Sequence, residues 1–162
     1  MSPGLILVDL MPRIVAMPLA PYSGAEVEQR CRLLAGAFRA KGLPVAVVRV
    51  ERPGVAEQPP GSEVVEGLLH PDDILVVKRT IGAFHATDLD ARLRDRGVDT
   101  VVVAGLVTTM GVESTARAAS DHGYEVEFVA DAMSGFAADE HHFAVERIFP
   151  RFGTVRKTAD YL

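Results

Sequence analysis

Short runs of apolar, mostly β-branched residues are the feature that most constrains the fold of this chain. The almost continuously apolar character of these runs is typical of strands that are covered on both faces. The pattern therefore predicts a mainly parallel sheet of about six strands. The runs cover residues 5–8, 45–50, 74–78, 100–105 and 126–130, with a weaker sixth at 153–157.

Helical patterns fill most of the gaps between the strands. Ser23 and Glu26 have the spacing of a capping box, and the helix that they open ends near Gly42. Cys31 lies at a core-facing position in the middle of this helix. Three further helical patterns follow along the chain. The first opens at Thr87 and Asp90 and ends near Gly97, the second follows the fourth strand, and the third covers residues 137–148.

The alternation of strands and helices predicts a single α/β domain over residues 1–162. We expect a three-layer α/β/α arrangement with right-handed crossovers and helices on both faces of the sheet. A chain of 162 residues with 48% hydrophobic and 24% charged residues has the composition of one globular domain.

Charge and cysteine content exclude several classes of function. The net charge of −5 and the lack of a basic cluster argue against a nucleic-acid partner. A lone cysteine suits a reducing compartment, and the apolar run before Asp9 is too short for a signal peptide or a membrane span. We expect a cytoplasmic protein without a membrane partner.

Polar residues follow three of the strands at the edge where parallel sheets bind ligands. Asp9 ends the first strand, Lys78 ends the third, and the loop LVTTMG at 106–111 follows the fourth. An acid, a cation and a helix start together suit a small anionic or carbonyl substrate. The loop at 51–62, rich in proline and glycine, is predicted as a rim of this pocket.

Four segments resemble the isochorismatase-like hydrolases, also called the cysteine hydrolase superfamily. They are LILVDL, VVKRTIGAFHATDLDARL, VVVAGLVTTMGVESTARAASDHGYEV and VADAMS, in this order from Leu5 onward. The resemblance implies a Rossmann-like fold. It also implies an Asp–Lys–Cys triad, with Asp9 and Lys78 as its first two members. The superfamily's pattern G-x-x-T-x-x-C-V-x-x-T-A reads here as Gly105, Thr108, Gly111, Val112, Thr115 and Ala116.

Gly111 thus takes the place of the nucleophilic cysteine, and a glycine has no side chain with which to attack a carbonyl. Cys31 cannot replace it from the core-facing side of a helix. The covalent amidase mechanism is therefore not expected. The superfamily also has a cis peptide near Thr108, and we expect Val107, Thr108, Met110 and Phe84 to form the substrate-binding site.

Two interpretations remain open. True isochorismatases resemble this chain in having glycine at the cysteine position, and there an Asp protonates the alkene carbon of a vinyl ether before water completes the hydrolysis. Asp9 and Lys78 suit that route. The alternative is a catalytically inactive module that binds a small ligand or serves as an oligomeric partner. Met11 in place of the superfamily's usual Gln favours this second interpretation.

We predict neither a metal nor a cofactor. His141 and His142 are neighbours on a helix, point about 100° apart, and are expected on a solvated face. The region where nicotinamidases hold a metal offers only His70 and the acidic pair at 72 and 73. The resemblance further implies a homodimer or homotetramer acting on a small-molecule substrate.

Overall fold

Six parallel strands form one sheet in the computed structural model, which describes all 162 residues. Their spatial order is β3-β2-β1-β4-β5-β6, so that β1 and β4 lie at the centre. The predicted parallel six-stranded sheet is confirmed. The strands are β1 (Pro3–Val8), β2 (Val45–Val50), β3 (Ile74–Lys78), β4 (Thr100–Leu106), β5 (Glu125–Ser134) and β6 (Thr154–Arg156).

The predicted helices lie between the strands. The helix predicted to open at Thr87 begins two residues later, at Leu89. None of the helices combines the length and the apolar character that crossing a lipid bilayer requires. The helices are α1 (Pro12–Val15), α2 (Gly24–Ala40), α3 (Leu89–Asp95), α4 (Glu113–Asp121) and α5 (Ala138–Phe143), with π-helical turns at Thr108–Val112 and Ala144–Ile148 and short 3-10 turns at Phe149–Arg151 and Thr158–Tyr161.

The sheet separates two apolar cores. Helices α1 and α2 pack against one face, and α3, α4 and the turns that follow α5 pack against the other. In β1 the alternation of a strand divides the side chains, with Leu5 and Leu7 in the first core and Ile6 and Val8 in the second. Cys31 on α2 is fully buried in the first core, as its spacing predicted.

The capping box at the start of α2 is present. The Ser23 hydroxyl accepts a hydrogen bond from the Glu26 amide at 3.1 Å, and the Ser23 amide donates to the Glu26 carboxylate at 2.7 Å. The loop at 51–62 packs against α1, because the Gly61 carbonyl accepts from the Arg13 amide at 3.1 Å. The structure therefore places this loop beside the segment that follows Asp9.

Gly105 allows β4 to approach the end of β1 closely. Its φ is +118°, and a Cβ atom there would lie 2.3 Å from the Val8 carbonyl oxygen. The pairing between β4 and β5 also shifts register between Val103 and Gly105. This close approach brings the loop after β4 against the residue that follows Val8, which is Asp9.

Replacing Gly105 with alanine should destabilise the fold by roughly 3 kcal/mol or more, because a side chain there overlaps backbone atoms at a strained φ. Gly36→Ala is the matched control. Gly36 lies inside α2 with no neighbour within 4 Å, so its replacement should stabilise by about 0.5 to 1 kcal/mol. Urea unfolding measures both variants, and equal effects would contradict the close approach.

Candidate active site

A buried ion pair joins the ends of β1 and β3. The Lys78 ammonium lies 3.0 Å from Asp9 Oδ2, and the two side chains are only 2% and 9% exposed. Strand β2 lies between β1 and β3, so the lysine side chain spans the end of a whole strand. The prediction that Asp9 and Lys78 meet at one sheet edge is confirmed by this contact.

The three donors of Lys78 are all engaged within the protein. Besides Asp9, the ammonium donates to the carbonyls of Ile81 at 2.8 Å and Thr80 at 3.3 Å. An ammonium group has three protons, so no donor is left over for a ligand. Lys78 therefore acts on the site through its charge and through the shape it imposes on the loop after β3.

The Asp9 carboxyl is held in an unusual environment. The residue has a φ of +52°, and its second oxygen, Oδ1, is buried without a hydrogen-bond partner. Burial raises the pKa of Asp9, and the nearby charges of Lys78 and then Arg13 oppose this rise only in part. A carboxyl in these surroundings favours its protonated form more than an exposed aspartate does.

Gly111 lies directly beside this carboxyl. It belongs to the π-helical turn before α4, and a Cβ atom at residue 111 would lie 3.2 Å from Asp9 Oδ2. The same Cβ would be 2.9 Å from a methyl of Val8 and 3.3 Å from the Leu106 carbonyl oxygen. The backbone before this turn contains a cis peptide between Leu106 and Val107.

An open cleft of about 290 Å³ brings these groups together at the carboxyl edge of the sheet. Ile81 and Met110 leave 53% and 41% of their surfaces exposed, which gives the cleft apolar walls. Sequence reasoning missed the residues just after β3, although their position at the same edge was a usable signal. The lining residues are Asp9, Val50, Lys78, Arg79, Thr80, Ile81, Met110 and Gly111.

Three of the residues predicted to bind substrate lie outside this lining. Phe84 is buried in the core against Tyr124, with ring centroids 5.9 Å apart. Val107 is buried on the opposite core, and its carbonyl accepts the amides of Met110 and Val112. Thr108 has no exposed surface. The structure therefore brings Asp9, Lys78, Met110 and Gly111 together, but not the side chains of these three.

The prediction of a solvated face for both histidines is wrong for His141. Only 2% of His141 is exposed, whereas His142 is exposed to solvent. His141 Nδ1 lies 2.7 Å from the Thr108 hydroxyl, which explains where that hydroxyl points. The spacing of His141 to Ala144 and Ile148, three and seven residues on, is the signal that could have placed it on the inner face.

A larger hollow of about 490 Å³ lies at the opposite edge of the sheet, near the starts of β2 and β3. Two of its charged groups, Arg39 and Asp73, form an ion pair, and Arg96 donates to the backbone carbonyl of Asp72. Asp73 also accepts from the His70 amide at 2.9 Å. No buried side-chain polar atom of this hollow lacks a hydrogen-bond partner, in contrast to Asp9 Oδ1 at the smaller cleft.

Comparisons with known proteins agree with this geometry. The sequence profile of the isochorismatase domain matches residues 3–160. The uncharacterised isochorismatase family protein YecD of Escherichia coli O157:H7 is 36% identical over 98% of this chain and 94% of its own length. An isochorismatase family protein from Burkholderia thailandensis superposes with a TM-score of 0.87 at 36% identity, covering 98% of this chain and 93% of that chain.

N-carbamoylsarcosine amidase from Thermoplasma acidophilum has the same fold. It superposes with a TM-score of 0.84 at 28% identity, covering 98% of this chain and 97% of that chain. These likenesses extend over nearly the whole chain and therefore include both the sheet and the loops at its carboxyl edge.

Lys78→Met should destabilise the fold at neutral pH by roughly 3 to 5 kcal/mol, because it leaves the Asp9 carboxylate buried without its counter-charge. It should also raise the Asp9 pKa further. Because the pKa of Asp9 in the folded protein lies above its unfolded value of 3.8, the protonated carboxyl stabilises the fold fully at a pH below 3.8. This stabilisation is lost as the pH rises through the folded-state pKa.

Urea unfolding from pH 3 to 8 measures this effect. Stability should fall with rising pH more steeply in Lys78→Met than in the natural protein, and over a range that extends higher. The double variant Lys78→Met with Asp9→Asn is the control, since it has no carboxyl left to ionise. Identical pH dependence of the single and double variants would contradict the coupling.

Proposed function

Because this chain belongs to the isochorismatase family, we propose that it hydrolyses a small substrate with Asp9 as acid and base, without a covalent enzyme intermediate. The observation that carries the proposal is the Asp9 carboxyl itself. One oxygen is held by Lys78, the other is buried without a partner, and burial raises the pKa. Such a group holds a proton at a higher pH than an ordinary aspartate does.

The backbone at residue 111 supports a route without a nucleophile. We infer that Gly111 stands where related cysteine hydrolases carry their thiol, because its missing Cβ would face Asp9 Oδ2. With glycine at residue 111, no side chain crowds the Val8 methyl or covers the Asp9 carboxyl, and the turn presents only its backbone to the cleft. Cys31 is fully buried against the other face of the sheet, and burial raises the pKa of its thiol far above the usual range.

A vinyl ether is the substrate type that fits these groups best. The protonated Asp9 transfers its proton to the terminal alkene carbon, and the π electrons form the new C–H bond. The resulting cation is shared with the ether oxygen, and water adds to it while the Asp9 carboxylate takes up the proton that the water loses. The hemiketal then breaks the C–O bond to the former ether oxygen, which receives the proton of Asp9 while the Asp9 carboxylate takes up the proton of the hemiketal hydroxyl, so that a ketone and an alcohol leave and Asp9 ends protonated.

Lys78 assists this route as a fixed charge. Its ammonium stabilises the Asp9 carboxylate once the proton has left, at a distance of 3.0 Å. Because both side chains are almost fully buried, this charge acts more strongly than it would at the surface. Its other two hydrogen bonds hold the carbonyls of Thr80 and Ile81, which keeps the apolar Ile81 side chain at the cleft.

Activity assays on isochorismate, nicotinamide and an N-carbamoyl amide test the proposal. The natural protein should hydrolyse the vinyl ether, and Asp9→Asn should lower kcat by roughly 10²- to 10⁴-fold, since the amide cannot supply a proton. Asn also tolerates the positive φ at residue 9. Asp121→Asn at the exposed end of α4 is the control and should leave activity unchanged. Full vinyl-ether activity in Asp9→Asn would exclude the acid role.

A second experiment tests whether residue 111 is a vacant nucleophile position. Gly111→Cys should hydrolyse the amide substrates above the level of Gly111→Ala, because both variants crowd Val8 equally but only one adds a thiol beside Asp9. Both should lose vinyl-ether activity, since a Cβ at residue 111 crowds Val8 and Asp9 Oδ2 and displaces the carboxyl from its present position. If the natural protein hydrolyses no substrate while Gly111→Cys hydrolyses the amides, residue 111 is the position of a lost nucleophile. That result would favour the alternative of a catalytically inactive ligand-binding module.

A further inference from the structure

His141 is a buried, titratable side chain that the proposed reaction does not use. It is 2% exposed, and its Nδ1 atom lies 2.7 Å from the hydroxyl of Thr108, which has no exposed surface. A buried polar pair of this kind is costly to break, because each partner would be left without a hydrogen bond away from water. The pair therefore ties α5 firmly to the loop after β4.

Thr108 is the first residue of the π-helical turn that carries Gly111. The preceding carbonyl, that of Val107, accepts hydrogen bonds from Met110 at 3.0 Å and from Val112 at 3.3 Å. The start of this turn thus determines where its later residues lie. Residue 111 in turn faces Asp9, at 3.2 Å from the position of a Cβ atom to Oδ2.

The imidazole of His141 is itself held from several sides. A Cβ atom at Gly135 would lie 3.4 Å from His141 Cβ, so the glycine lets α5 pack closely against the end of β5. The ring of Tyr22 meets the His141 ring edge-on, with centroids 6.0 Å apart. The Tyr22 amide donates to the Ser134 hydroxyl at 3.1 Å, and that hydroxyl donates to the Tyr22 carbonyl at 2.6 Å. His141 therefore has little freedom to move away from Thr108.

The imidazole is neutral at physiological pH. Burial lowers the pKa of His141 to about 4, and the neighbouring His142 adds to this decrease. A neutral ring can share a hydrogen bond with the Thr108 hydroxyl without burying a positive charge there.

We propose that His141 is a positioning residue that holds Thr108, and through it the turn Thr108–Val112, against the Asp9 carboxyl. His141 does not line the cleft, so it contacts no substrate and acts on the geometry of the reacting groups. This inference rests on the proposed function for its effect on catalysis, because it predicts a change in kcat rather than in KM. Its structural part does not depend on any activity.

Two polar replacements distinguish the imidazole nitrogens. The side-chain amide of asparagine reaches the place of Nδ1, whereas that of glutamine reaches the place of Nε2. His141→Leu and His141→Gln should lower kcat by roughly 10- to 100-fold with KM within about twofold of the natural value, and His141→Asn should restore most of it. His142→Asn, at the exposed neighbouring position, is the matched control and should behave as the natural protein does.

Thr108→Val removes the hydroxyl at nearly constant volume, and Thr108→Ser retains it. Thr108→Val should match His141→Leu in kcat, and the double variant should be no worse than either single one, because both remove the same hydrogen bond. Thr108→Ser should stay close to the natural value. If His141→Leu does not fold, the comparison of Thr108→Val with Thr108→Ser still tests whether the hydrogen bond of the Thr108 hydroxyl supports kcat.

Amide hydrogen exchange over residues 109–112 is the readout that needs no activity. Exchange there should accelerate at least about tenfold in His141→Leu and Thr108→Val, and not in His142→Asn. Unchanged exchange, or faster exchange with an unchanged kcat, would overturn the positioning role. If the natural protein is inert on every substrate while exchange responds as expected, the proposed hydrolysis fails but the hold of His141 on the turn stands.

Discussion

The ion pair between Asp9 and Lys78 is the contact on which the arrangement of the site depends. It joins strands β1 and β3, whose axes are about 9 to 10 Å apart because β2 lies between them. Only a long, flexible side chain can cross that gap, and lysine supplies it. Buried ion pairs are a weak source of stability, since the desolvation of both charges offsets much of their attraction. The pair is better explained by its effect on the Asp9 carboxyl.

The same ammonium organises the loop that follows β3. By donating to the carbonyls of Thr80 and Ile81, Lys78 holds these residues at the wall of the cleft. The loop continues to Ala83, whose amide donates to the Thr115 hydroxyl on α4 at 3.1 Å. Helix α4 is thus tied to the loop after β3 on one side and, through Thr108, to α5 on the other. These two hydrogen bonds hold the start of α4 in place relative to the Asp9 carboxyl.

Particular residues show why the site was only partly predictable from the sequence. Asp9, Lys78 and Gly111 follow parallel strands, and such strands end at one edge whatever the details of packing. Phe84 lies only six residues after Lys78, yet the chain turns between them and buries the ring against Tyr124. His141 was misplaced because it was treated together with its neighbour. The 100° between adjacent helical residues in fact turns one inward and the other outward.

The sequence by itself determined the layered parallel fold and the edge of the sheet at which polar residues gather, because strand and helix periodicities are local properties of the chain. It also excluded a thiol nucleophile at residue 111, since the residue type alone decides that. Only the tertiary structure decided that Asp9 Oδ1 lacks a partner, that Lys78 has no free donor, and that His141 reaches Thr108. These properties depend on burial and on contacts between residues far apart in the chain, which no local pattern encodes.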